Sequence, residues 1–250
     1  MKEKSKNRIT LVTDVSESLA NAIRRSSSEI PVLAINEIEF HKNDSALYDE
    51  ILAHRIGLIP LTDTRKINEI EKCSCNGKGC NKCQIQITLK AKGPTTVYSG
   101  NLKGDVGIVY DKIPIVILDK DQELEFIGFA RLGKSIKHAK FSPGLIFYRH
   151  LSKITINNPD KYEEIINKLG NHVISPQKGK VKTGDVIYSN KDVDEIESMF
   201  ENEKDFSVEH GEKLVFFVES WGQIDPKDII INAVKSLESN LKEVLKTIKK

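Results

Sequence analysis

The sequence predicts an α+β protein, and three observations carry that prediction. Apolar and polar residues alternate through much of residues 8–157, the period-two pattern of half-buried strands. Two short segments near the N-terminus and one long segment at the C-terminus instead repeat their apolar residues every three to four positions, as amphipathic helices do. The 4 cysteines of the chain all lie in residues 73–83, as Cys73-x-Cys75 and Cys80-x-x-Cys83, and this loop divides the sequence.

A length of 250 residues allows one large or two modest domains, each with its own core. With 38 Lys and Arg against 36 Asp and Glu, the net charge of +2 neither demands nor excludes nucleic acid. Residues 1–6 (MKEKSK) are charged and lack the apolar core of a signal peptide. No apolar run approaches the roughly 18 residues of a membrane span. Clustered cysteines with none elsewhere point to a reducing interior. The expectation is a cytoplasmic protein, or a nuclear one in a nucleated cell, without a membrane partner.

Taken in order, residues 8–13 read as a strand. Ser16 or Ser18 then caps a helix through residue 29, ended by Pro31. Leu19, Ile23, Ser26 or Ser27, and Ile30 share its apolar face, with Ala20 and Ala22 beside them. The other face carries Asn21, Arg24, Arg25 and Ser28, and is equally open to a solvated or a functional reading. Residues 32–40 form the next strand. Ser45 is the expected cap of a second helix over 47–56, with Gly57 just past its end at C′.

Beyond the cysteine loop, Ile85, Ile87, Leu89 and Ala91 alternate strictly with Gln84, Gln86, Thr88 and Lys90, a half-buried strand. Further strands are expected at 95–99, 112–118, 124–132 and 145–150, with a turn at 119–121. The segment 133–144 is basic and bounded by glycines. It is a hairpin tip that either stays wet or touches phosphates.

Residues 158–207 differ in character. Two short amphipathic stretches, 160–169 and 191–203, flank a turn-rich centre with Pro176, Gly179 and Gly184, as in a small subdomain with little core of its own. Residues 213–220 (KLVFFVES) return to strand. Asp225, Pro226 and Asp228 open the last helix, over 226–248. Its apolar positions are Ile230, Ala233, Val234, Leu237, Leu241, Val244, Leu245 and Ile248, a stripe long enough to pack on its own domain or on another chain.

Four thiolates this close suit the tetrahedral all-sulfur site that zinc prefers, and Gly77 and Gly79 supply the positive-φ freedom a tight loop needs. A disulfide, an iron–sulfur cluster and a redox C-x-x-C are the competing readings. A C-x-C pair bridges itself poorly, ferredoxin spacings differ, and no βαβ pattern adjoins Cys80 and Cys83. No P-loop, Rossmann fingerprint, H-E-x-x-H or G-x-S-x-G occurs. The 6 histidines are scattered, and pairs such as Asp49-Glu50 and Glu163-Glu164 lie on expected helix surfaces. No autonomous active site is visible.

The order of several short words is more specific than their chemistry. Ser18-Leu19-Ala20-Asn21-Ala22-Ile23-Arg24-Arg25, Glu29-Ile30-Pro31-Val32-Leu33-Ala34-Ile35, and the run 49–61 (DEILAHRIGLIPL) come first. Ala130-Arg131-Leu132-Gly133-Lys134, His138-Ala139-Lys140-Phe141-Ser142-Pro143 and Glu219-Ser220-Trp221-Gly222 follow. Together they resemble the assembly subunit of multisubunit, DNA-directed RNA polymerases: the archaeal D-type subunit, the eukaryotic third-largest subunit and the bacterial alpha subunit's N-terminal domain. The resemblance spans nearly the whole chain and is greatest to the archaeal branch.

The resemblance implies a discontinuous dimerisation domain, residues 1–31 with 208–250, in which two packed helices lie on a small sheet. An inserted mostly-β domain, 32–157, would carry the cysteine loop 73–83, and 158–207 would be a small ferredoxin-like remnant. It implies a non-catalytic scaffold that forms a heterodimer with an L-like small subunit and meets DNA only through the assembled enzyme. Leu19, Ile23, Ile230, Val234, Leu237, Leu241, Val244 and Leu245 would form the dimer interface, and Arg24 and Arg25 would dock on the large catalytic subunits. Cys73, Cys75, Cys80 and Cys83 resemble the eukaryotic zinc loop with one extra residue between Cys75 and Cys80, which favours structural zinc. Some archaeal relatives hold iron–sulfur clusters in the third region, but residues 158–207 contain no cysteine, so no cluster is expected there. A stand-alone zinc protein that binds nucleic acid through Arg24, Arg25 and residues 134–140 is the alternative, and a self-contained redox or iron–sulfur enzyme is a third reading.

Overall fold

The computed structural model describes residues 2–4, 6–62, 66–156, 173–174, 185–189 and 206–249. In chain order the elements are β1 (Lys2–Lys4), β2 (Arg8–Thr13), α1 (Glu17–Ser26), β3 (Val32–Asn43), α2 (Asp49–Gly57), β4 (Leu61–Thr62), β5 (Gln84–Lys92) and β6 (Thr95–Tyr98). Then come β7 (Lys103–Gly104), β8 (Gly107–Ile108), β9 (Pro114–Leu118), β10 (Glu123–Gly133), β11 (Gly144–Ile156), β12 (Val173–Ile174), β13 (Asp185–Ser189), β14 (Phe206–Ser220) and α3 (Pro226–Ile248). The architecture is α+β. The chain divides into two compact units, Met1–Arg24 with Ile146–Val218, and Arg25–Leu145 with Glu219–Lys250.

The first unit is built on a sheet of order β1-β2-β14-β11-β13-β12. Its strands carry the buried Ile9, Leu151, Leu214, Val215, Phe216 and Val218. Phe147 and Phe217 stack at 4.7 Å between centroids, and the Arg149 guanidinium lies 4.9 Å from the Phe217 ring. In α1 the Ser16 hydroxyl, not that of Ser18, accepts the Leu19 N–H at 3.4 Å, the cap that satisfies one orphan donor. The helix stops at Ser26 and tightens into a 3-10 turn over Ser27–Glu29, three residues short of the expected end. Pro31 explains this, because the residue before a proline is pushed out of the helical region, and Ile30 is already extended at ψ 122°.

The second unit holds an antiparallel sheet of order β3-β10-β5-β7 and two ribbons, β4-β8 and β6-β9. Leu124, Phe126 and Ala130 of β10 and Ile85, Ile87 and Leu89 of β5 point into one core, joined by Leu52 and Ile56 of α2. Each of these side chains except Ala130 contributes about 1.5–3 kcal/mol by leaving water. The first residues of β3 are buried on both faces, since Val32 and Ala34 meet Phe141 and Ile224 on the side away from that core.

Two expectations about α2 are corrected. Ser45 does not cap it: its hydroxyl donates to Asn43 Oδ1 at 2.6 Å and accepts the Leu47 N–H, closing a turn ahead of the helix. Tyr48 is the N-cap and offers no side-chain bond, so the acidic first turn, Asp49 and Glu50, faces the positive helix end instead. Gly57 is the last helical residue, not C′, and Leu58 follows in ordinary right-handed geometry. A Cβ on Gly57 would lie 3.4 Å from the Ile35 carbonyl, an ordinary contact, so α2 passes β3 at van der Waals distance here.

In α3, Asp225 Oδ1 accepts the Lys227 N–H at 2.9 Å and Pro226 occupies the first turn, as the sequence indicates. The helices expected at 160–169 and 191–203 lie outside the described residues. Among the described residues, no helix is long and apolar enough to cross a membrane.

Candidate functional site

The cysteine loop hangs between a 3-10 turn, Ile70–Lys72, and β5. Asn76, Gly77 and Gly79 take positive φ (52°, 82° and 83°), which turns the chain back so that Cys73 and Cys75 face Cys80 and Cys83. The loop base is closed by the Asn68 N–H on the Lys82 carbonyl, 2.8 Å, and by the Cys83 and Gln84 N–H groups on the Cys80 carbonyl.

All four cysteines are free, with Cys73 and Cys83 buried and the other two half-buried. Cys73 and Cys80 sulfurs are 3.6 Å apart, as are those of Cys75 and Cys83, and Cys80 and Cys83 are 3.9 Å apart. All four lie within 4.8 Å of one another. A tetrahedron with metal–sulfur bonds of ~2.3 Å has edges of about 3.8 Å, so the donor set fits a single tetrahedral ion. No other cluster of three or more such donors occurs among the described residues.

The thiols differ in acidity. Burial resists ionisation of Cys75, but hydrogen bonds from Cys73, Cys83 and Cys80 and from the Gly79 N–H bring it down to about 7. Burial pushes Cys83 up to about 12, against the stabilising Cys80 N–H at 3.3 Å. A divalent cation would reverse that penalty, because it binds thiolates.

Two residues meet next to the loop, and nothing in the sequence announces their meeting. Arg131 donates two bonds to Gln84 Oε1, at 3.1 and 3.0 Å, and pairs with both oxygens of Glu37 at 2.7 and 3.0 Å. Gln84 directly follows Cys83 and is the register partner of Arg131 across β5 and β10. Only that long-range pairing brings them together.

The expected interface residues of α3 fall into a graded face. Pro226, Ile229 and Ala233 are buried where the helix packs on the 3-10 turn Ser27–Glu29, and Ile229 is absent from the sequence-based stripe. Ile230 and Leu237 are half-buried. Val234, Leu241, Val244, Leu245 and Ile248 are exposed, at 43%, 57%, 55%, 55% and 75%. On α1, Leu19 is 43% exposed and Ile23 half-buried, while Ala20 is fully buried. Arg24 grips Asn21 Oδ1 at 3.2 and 2.9 Å, and Arg25 is exposed.

The basic segment after β10 is not a free cationic surface. Lys134 pairs with Glu29 at 3.0 Å and Lys137 with Glu71, across a cavity of about 340 Å³. Lys140 lies against the Phe141 ring, and burial lowers its affinity for a proton.

A family model described as the RNA polymerase Rpb3/RpoA insert domain matches residues 34–146. The chain is 33% identical over 98% of its length to "DNA-directed RNA polymerase subunit Rpo3" of Methanothermobacter thermautotrophicus, covering 96% of that protein. The chain belongs to the Rpo3 subunits. The Rpo3 of Pyrococcus horikoshii is 34% identical, with 94% of this chain and 91% of that one covered. That of Archaeoglobus fulgidus is 31% identical, with 95% and 92% covered. The insert-domain match runs from Ala34 in β3 to Ile146 in β11 and takes in the whole cysteine loop, so the four thiols lie inside the matched insert domain, while α1 and α3 lie outside it.

Proposed function

We propose that this chain is a non-catalytic assembly scaffold of DNA-directed RNA polymerase, which pairs with an L-like small subunit and presents the pair to the other small subunits and to the large catalytic ones. The observation that carries this reading is the exposed apolar half of α3: Leu241, Val244, Leu245 and Ile248 repeat at helical spacing with no cover among the described residues. In that role the ends of the chain, residues 1–31 and 208–250, form the dimerisation domain, with Leu19 and Ile23 of α1 joining the α3 stripe. Arg24 and Arg25 dock on the large subunits, the place of work is the cytoplasm, and DNA is met only through the assembled enzyme.

The cysteine loop holds one structural zinc. Four sulfurs within 4.8 Å of one another, three of the edges at 3.6–3.9 Å, favour one ion over an iron–sulfur cluster, whose several iron atoms need wider spacing. Bound there, zinc would tie Cys73 and Cys75 to Cys80 and Cys83 and staple the loop against β5, in keeping with four protein ligands and no open position.

Co-expression with the L-like chain tests both parts. The expected product is a stable one-to-one heterodimer, colourless, with one equivalent of zinc by metal analysis. Cys80→Ser should lose the zinc and keep the heterodimer. A soluble monomer that ignores the small subunit overturns the scaffold reading, and a visible-range chromophore overturns zinc.

A further inference from the structure

The contacts of Gly79 tie the cysteine loop to the sheet beneath it. A Cβ built on this glycine would lie 2.4 Å from Gln84 Oε1, so the amide oxygen rests directly on the backbone of the loop. The same oxygen receives both Arg131 bonds, and Arg131 is itself fixed by the two-oxygen pair with Glu37 of β3. The Arg131 side chain is only 17% exposed, so its geometry is held. On its other side Gly79 is joined to Cys80, whose N–H donates to the Cys83 sulfur at 3.3 Å. Glu37, Arg131, Gln84, Gly79 and Cys80 therefore form one line from the sheet to the ligand cysteines.

We infer that Arg131 is a positioning residue for the metal loop: acting through Gln84, it holds Gly79 and the adjoining Cys80 in place and so sets how firmly the loop keeps its ion. The inference rests on the reading of the four cysteines as a metal site. Groups that orient metal ligands without touching the ion typically change metal affinity by about 10–100-fold when removed. Arg131 is suited to the task because its planar fork serves Gln84 and Glu37 at once, which a lysine cannot do.

The test compares the full chain with Arg131→Met, Gln84→Met and Lys90→Met, the last removing an ion pair with Glu125 on the same two strands but remote from the loop. Each protein is loaded with zinc, and the rate of its transfer to a colorimetric chelator is followed. Arg131→Met and Gln84→Met should release zinc about 10–100 times faster, and Lys90→Met at the wild-type rate. In metal-free protein, amide exchange over residues 77–84 should rise in the first two variants alone. If Arg131→Met folds poorly, Gln84→Met carries the comparison, since it leaves the Arg131–Glu37 pair in place. Zinc release from Gln84→Met at the wild-type rate, or equal acceleration in Lys90→Met, overturns the inference while leaving the metal reading intact. Wild-type chain that takes up no zinc overturns the metal reading and the inference with it.

Discussion

Glu123 ties three strands with one side chain. At the start of β10 its Oε2 meets Lys42 of β3 at 2.9 Å and its Oε1 meets Lys92 of β5 at 3.1 Å. The Lys42 hydrogen bond first, and then that of Lys92, hold its carboxyl below the ordinary value of 4.5. A carboxyl depressed on folding lends stability that is present above its unfolded value and is lost as pH falls through its folded one. The contribution is small because the half-buried side chain is still 30% exposed and water screens its pairs. Carbon-detected NMR titration should therefore find Glu123 titrating below 4.5, and Lys42→Met should raise its midpoint toward 4.5. An unmoved midpoint would mean that Lys92 alone sets it. At this scale the cysteines were legible in the sequence because metal ligation restricts both residue type and spacing. Arg131 and Gln84 were not, since they are 47 residues apart and meet only through strand register.

Helix α3 shows how an element can be stable at one end and incomplete at the other. Its first turns are anchored by the Asp225 cap, Pro226 and the buried Ile229 and Ala233, while from Leu241 onward every described residue is exposed. Val244→Glu with Leu245→Glu should change the stability of the isolated chain by no more than about 0.5 kcal/mol per site, since neither side chain is buried. The same pair should abolish capture of the L-like subunit, because two carboxylates would be placed in an apolar seam. Thermal melting of the single chain and size-exclusion of the co-expressed pair measure the two effects, and an intact heterodimer would move the interface away from this face. The bounds of α3 could be read directly from its cap and its sustained period. Pro31 announced the end of α1, but not the tightening into a 3-10 turn at Ser27, and the start of α2 was misplaced because the Ser45 hydroxyl is taken up by Asn43 ahead of the helix.

At the scale of the whole molecule, charge decides between a scaffold and a nucleic-acid binder. The 38 basic and 36 acidic residues nearly cancel, so no long-range field draws a polyanion to the chain. Locally, two lysines of the basic segment after β10 are already neutralised, Lys134 by Glu29 and Lys137 by Glu71, and binding a phosphate there would first have to break those pairs. Affinity for duplex DNA comes from displaced counterions and scales with the number of phosphates neutralised. A chain with so balanced a charge should neutralise only one or two. The purified heterodimer should accordingly show no retention of a fluorescent duplex at about 0.15 M salt, and at lower salt a log–log slope no steeper than about −2. A slope of about −5 or beyond, made shallower by about 2 in Arg24→Ala with Arg25→Ala, would mean that these arginines bind phosphates directly and that docking on the large subunits is not their task.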